Sequence, residues 1–477
     1  MDPNILDILP EEILDLIVEA ISHTWRQEAH TCSELRLVCK TFSSLFERVL
    51  FTKTTINASE SFTPDQLRSF ASKGPNARWT RKLNIQFIDR AEKTEGEGRS
   101  LLELAITGLR NLESVRLSVQ PHRPNEDVIR ALSQLPGLRQ AELDFDDSCD
   151  SDLTFRGLPR FHHLANLRSL ELKNIPPCWV TEIRRTIANS PRLETLDLLF
   201  AEFLQGFRGG IEFHPTSDWP EPALDIAWMV KDVLSAPAFT PTLNSLSILG
   251  CTPTLSTSAI PYLSALTELV IDPEGTSVID PSFWVGLSQA GVKLKSLDLS
   301  PITAPIVAYL TSYVGLEELD VFCDVDVPDT NPSDMAHEVY HKVVVHHKDT
   351  LRVFRADGVS SEVWAFRTEF FESILQCKKL QELKIPFLHG PDTTDISCPT
   401  ASNLVTAISR ELQCFQELSL DFEATEGDLF GFILAVCDIK PSISALQFSI
   451  EIVTSQSDIW SLAFDRDVGH FVVISVT

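Results

Sequence analysis

One apolar pattern recurs along the chain: Leu-x-x-Leu-x-Leu, with apolar side chains at positions one, four and six of a hexapeptide. It stands at 112–117, 138–143, 167–172, 193–198, 243–248, 266–271, 294–299, 316–321 and 380–385, and weaker copies start at Thr80, Leu351, Phe415 and Ile443. Side chains alternate along a strand, so positions four and six share one face and positions three, five and seven the other. Between the hexapeptides lie stretches of helical periodicity, such as 128–132 and 180–185. Most starts are 22 to 35 residues apart, and the longest gap, from 193 to 243, has room for one degenerate copy. A strand–helix unit repeating at this period predicts an α/β solenoid over residues 79–453. A strand and a helix differ in width, so stacked copies are expected to curve into a horseshoe.

The first fifty residues follow another rule. Pro10 suits the first position of a helix, where its missing N–H costs nothing. Glu11 and Glu12 follow in the first turn, and Ile13, Leu16, Ile17, Ala20 and Ile21 make one apolar stripe. Thr31-Cys-Ser-Glu34 reads as a capping box before a second helix over 35–42, and a third apolar run carries Leu45, Phe46, Val49, Leu50 and Phe51. Three short helices cannot bury this many large apolar side chains among themselves, so the surplus must meet something else.

Leu9-Pro-x-Glu-Ile-Leu14, a spacer, and Leu35-Arg-Leu-Val-Cys-Lys-x-Phe42 resemble the F-box motif. The repeats behind it resemble the leucine-rich repeats found in many F-box proteins, fungal ones especially. The resemblance implies a three-helix F-box over 1–51, a linker or N-terminal cap over 52–78, the repeat domain over 79–453, and a C-terminal cap or tail over 454–477. It also implies that Leu9, Pro10, Ile13, Leu14, Ile17, Leu35, Val38, Cys39 and Phe42 meet a Skp-type adaptor and, through it, a cullin scaffold. On this reading the chain is the substrate-recognition subunit of a ubiquitin ligase, with no catalytic residue and no cofactor. The alternative is a leucine-rich-repeat interaction protein that works outside ubiquitin ligases.

Composition narrows the partners. The formal charge of the 477-residue chain is −27, which repels a phosphate backbone and argues against nucleic acid as a partner. The acidic start lacks the basic region of a secretory signal, and no apolar run is long enough for a membrane span. No two of the ten cysteines are spaced C-x-x-C. Together these features predict a cytoplasmic or nuclear protein.

Two constellations carry candidate chemistry. At position five of the hexapeptides, Glu142, Glu171 and Asp197, and later Asp298 and Asp320, are expected to form an acidic column that receives a basic segment of the protein target. His337-Glu338-x-x-His341 has the spacing of a zinc hydrolase, with His347 where an extended motif puts a third ligand. Val344 stands where that motif needs a turn glycine, and no methionine follows Met335. The segment therefore reads as the outer helix of a repeat, with Met335, Val339, Val343 and Val344 turned inward and no metal assigned. His346-His347 and His162-His163 read as surface residues, and Trp179, Trp228, Trp284 and Trp364 as core filler.

Overall fold

The computed structural model describes residues 47, 51–58, 64–71, 75–87, 97–119, 126–145, 160–175, 179–200, 224–236, 239–251, 253–272, 279–322, 332–357, 364, 367–388, 397–423, 449–454, 459–465 and 470–476. The chain divides into two compact units, Met1–Glu212 with Met229–Thr240, and Phe213–Trp228 with Pro241–Thr477.

Among the described residues of the first unit six strands follow one another in chain order, each parallel to the next. They are β1 (Lys53–Ala58), β2 (Lys82–Phe87), β3 (Ser114–Val119), β4 (Gln140–Phe145), β5 (Ser169–Ile175) and β6 (Thr195–Phe200). The register places position four of each hexapeptide beside position four of the next: Leu83, Val115, Ala141, Leu170 and Leu196 are neighbours in turn and all are buried. Position six, from Ile85 to Leu198, makes a second buried row. Helices Glu97–Gly108, Glu126–Ser133 and Val180–Ala188 occupy the spacers. Phe145 packs edge-on against Trp179, 4.4 Å between centroids, and so joins a strand to the start of a spacer helix.

The residues expected to be a linker or cap, 52–78, contribute β1. Its match to the repeat is hidden in the sequence because Thr54 stands at position four. Thr54 is buried, and its hydroxyl is satisfied by that of buried Thr80 at 3.0 Å. Two polar residues that satisfy each other occupy sites elsewhere held by leucines, at little desolvation cost.

The second unit repeats the plan. After β7 (Leu224–Asp225) come β8 (Ser245–Leu249), β9 (Pro253–Thr254), β10 (Glu268–Asp272), β11 (Ser296–Leu299), β12 (Glu318–Phe322), β13 (Val353–Asp357), β14 (Glu382–Leu388), β15 (Glu417–Glu423) and β16 (Ser449–Thr454). β8 and β10 to β16 form a parallel ladder in that order. β7 pairs with β9 in a separate two-stranded sheet. The described residues 224–236 thus hold β7 and the helix Ile226–Leu234 rather than a further ladder strand.

Residues 280–299 show how one repeat is specified locally. The Asp280 carboxylate accepts from the Ser282 N–H at 2.8 Å and caps the helix Pro281–Gln289, with Pro281 at its first position. Gly291, at φ +70°, ends it: the Val292 N–H reaches back to the Leu287 carbonyl and that of Gly291 to Ser288. This is a Schellman closure, which favours glycine because the backbone is left-handed there. Val292 and Leu294 are buried, and the chain enters β11 with Leu297 and Leu299 facing the core.

At the end of the ladder Ser449 lies opposite Glu417 and Ile450 opposite Leu418, so position four of the last repeat is Ile450, four residues later than a repeat starting at Ile443 would put it. The chain then reverses: β17 (Ile459–Asp465) is antiparallel to β16, and β18 (His470–Val476) is antiparallel to β17. The C-terminal cap or tail expected over 454–477 therefore carries both arms of a hairpin.

Candidate functional site

Positions three, five and seven of the strands form the polar face of each ladder. In the first unit Arg116, Glu142, Glu171 and Asp197 stand side by side on β3 to β6. In the second, Asp298 and Asp320 are neighbours, followed by Arg355 and Lys384. The structure thus brings the acidic position-five residues of each unit into register, as single files.

Bases cross-link these files. Arg116 Nε lies 3.3 Å from Glu142, and Lys173 Nζ lies 2.9 Å from Glu142 and 2.7 Å from Glu171. Hydrogen bonding to Glu171, and then to Glu142, raises the Lys173 pKa above its ordinary value, so this ammonium stays charged. Asn174, held at φ 55°, donates to Asp144 at 3.2 Å. In the second unit Arg355 reaches Glu382 at 2.5 Å and Asp320 at 3.4 Å, and the hydrogen bond to Glu382 is the largest cause of its raised pKa. The sequence shows every one of these bases, but not that each lies within reach of acids on neighbouring strands. Strand register is needed for that.

The second constellation takes another form. Helix Pro332–Glu338 runs into a wider π-helical stretch, Val339–Val344. Ala336, Val339, Tyr340, Val343 and Val344 face inward, Tyr340 stacking on Phe370 at 4.1 Å, whereas Met335 is only half-buried. His337 is exposed, and His341 Nδ1 lies 3.1 Å from the Ser373 hydroxyl. His347, expected at the surface, is 1 % exposed. Its Nε2 is 2.9 Å from the Leu310 carbonyl and its Nδ1 accepts from the Leu316 N–H at 3.4 Å. A carbonyl only accepts, so Nε2 carries the proton and the ring is neutral; burial pulls its pKa down to about 4. Both nitrogens are committed to backbone groups, and the ring staples the end of helix Ala304–Leu310 to the entry of β12. The spacing of the three histidines is thus that of a repeat helix with its inner edge buried. Among the described residues no three His, Cys, Asp or Glu side chains are grouped to hold a metal.

The other histidine pair is split as well. His163 is exposed, while half-buried His162 meets the buried Glu182 carboxylate at 2.5 Å, and Arg185 meets it at 2.8 Å. Trp179, Trp284 and Trp364 are buried and Trp228 is half-buried. Among the described residues no helix is long and apolar enough to cross a membrane. The expected adaptor-binding residues, Leu9, Pro10, Ile13, Leu14, Ile17, Leu35, Val38, Cys39 and Phe42, lie outside the described residues.

Each unit is thus a strand–helix solenoid with a buried apolar face and a charged polar face. No family model and no curated protein matches the chain. Among solved structures it is similar to a chain in the crystal structure of the Rad7 and Elc1 complex in yeast, with 12 % identity over 87 % of this chain and 94 % of that one and a TM-score of 0.38.

Proposed function

We propose that the protein is a substrate receptor of a cullin-type ubiquitin ligase, in which the N-terminal helices hold a Skp-type adaptor and the polar faces of the repeats hold the target. The observation that carries this reading is the motif of residues 9–42, placed directly before a solenoid. Such a receptor needs no reaction centre: it works by keeping a target lysine near a charged conjugating enzyme, so the acceleration comes from proximity. The repeats supply what that role requires, surfaces whose charged residues are set side by side by strand register.

The test is co-purification. The wild-type chain is expected to retain a Skp-type adaptor and a cullin. Ile13→Asp combined with Leu14→Asp is expected to abolish adaptor retention, because a charge buried at an apolar contact is costly. Circular dichroism should show the same repeat content in both proteins. Adaptor retention undiminished in the double variant would overturn the reading. Retention of adaptor without cullin would favour an interaction protein outside ubiquitin ligases.

A further inference from the structure

The turns that lead into the strands of the first unit, 78–81, 108–113, 133–139, 163–168 and 189–194, carry six arginines, Arg78, Arg81, Arg110, Arg139, Arg168 and Arg192, against only two acids, Glu113 and Glu194. This reverses the balance of the whole chain, where 67 acids face 40 bases. Five of the six arginines are exposed and Arg139 is half-buried.

Backbone hydrogen bonds put these turns in a fixed row. The Arg81 carbonyl accepts from the N–H groups of both Glu113 and Ser114, that of Glu113 from Arg139 and Gln140, that of Arg139 from Arg168 and Ser169, and that of Arg168 from Glu194 and Thr195. Arg81, Glu113, Arg139, Arg168 and Glu194 therefore follow each other at the strand spacing, roughly 4.8 Å. The row is braced by Asn111, whose amide donates to the Arg78 carbonyl at 2.9 Å, and by Arg78 over the Trp79 ring at 4.8 Å. The two acids are spoken for: Glu113 pairs with Arg81, and Glu194 with Arg168 at 3.1 Å. Arg110 and Arg192 have no side-chain partner among the described residues, and Arg139 donates to the Leu138 carbonyl at 3.1 Å.

We propose that this strand-entry rim of the first unit docks an extended acidic peptide of a partner protein. The surface consists of the strand-entry turns and is distinct from the polar strand faces of the proposed receptor. The chemistry favours carboxylates because every base is an arginine, whose planar fork meets a carboxylate with two parallel hydrogen bonds. It favours a peptide over a nucleic acid because the positive row is broken at Glu113 and Glu194, where a peptide can place a neutral residue but a phosphate backbone cannot.

The experiment is fluorescence anisotropy on the full chain with three labelled probes. They are a Glu-rich peptide of about eight residues, long enough to cross the row at roughly 3.4 Å per residue, the same peptide with Gln for Glu, and a single-stranded oligonucleotide of similar length. The Glu peptide is expected to bind best and to weaken as salt rises. Arg110→Glu with Arg192→Glu is expected to weaken it by about tenfold or more. These two side chains are exposed and hold nothing in place, so the variant keeps the wild-type melting curve. Arg110→Lys with Arg192→Lys is expected to fall between the two, since it keeps the charge and loses the fork. Equal binding of the Glu and Gln peptides, tighter binding of the oligonucleotide, or full affinity in the Glu variant would each overturn the proposal.

Discussion

His347 sits where a repeat of this kind needs a side chain that both donates and accepts. The turn between helix Ala304–Leu310 and β12 leaves one carbonyl, Leu310, and one N–H, Leu316, facing the interior, and neutral imidazole satisfies both. The consequence for stability has a definite sign. The folded pKa, about 4, lies below the ordinary 6.5, so the unfolded chain takes up a proton first as pH falls. This contribution is fully present above pH 6.5 and is lost between 6.5 and 4, on the order of 3 kcal/mol in total. His347→Phe is expected to be less stable at neutral pH by roughly 1–3 kcal/mol for each orphaned backbone group. Its further loss on going from pH 7 to pH 5 should be smaller than that of the wild type. Urea midpoints of both proteins at the two pH values measure this, and parallel losses would refute the role given to His347.

An element in these ladders is defined by what it buries and by how closely its turn approaches the next. Leu297, at position four of β11, is 1 % exposed, and Leu297→Ala is expected to cost about 2–5 kcal/mol, because neighbouring strands hold the cavity open. Gly137 tests the turns. A Cβ there would meet the Leu112 carbonyl oxygen at 3.0 Å, and both sides of that contact are backbone. Gly137→Ala is expected to lower the melting temperature, with no gain from the better helix and strand propensity of alanine. An unchanged melting temperature would mean that the two turns can separate freely. The hexapeptide alone shows where a strand lies and which of its faces is buried, since a period of two leaves no other choice. It does not show β1, where Thr54 replaces an apolar residue, nor the four-residue displacement of β16.

For the molecule as a whole, the polar faces are the surfaces the proposed receptor offers to a target. Asp197→Lys, Asp298→Lys and Asp320→Lys together are expected to abolish capture of a basic target in a pull-down, while adaptor retention is unchanged. The single variants are expected to give partial losses, because neighbouring Arg355 and Lys173 already offset part of the acidity. Glu142→Gln alone is expected to weaken capture as well, since it removes a carboxylate and releases Arg116 and Lys173, whose charges oppose a basic target. Capture equal to that of the wild type in the triple variant would remove the acidic files from the target-binding surface.

The repeat, its period, the buried positions and the acidic residues of position five are all present in the order of residues, because they are consequences of local alternation. Even the bland reading of His337-Glu-x-x-His341 as part of a repeat helix rests on local chemistry. What the sequence could not decide is anything that depends on which strand lies beside which. The pairing of Lys173 with Glu142, the burial of His347 between two backbone groups and the row of arginines on successive turns all join residues about 30 positions apart. Distances across a ladder are set by backbone hydrogen bonds between repeats, and no local pattern encodes them.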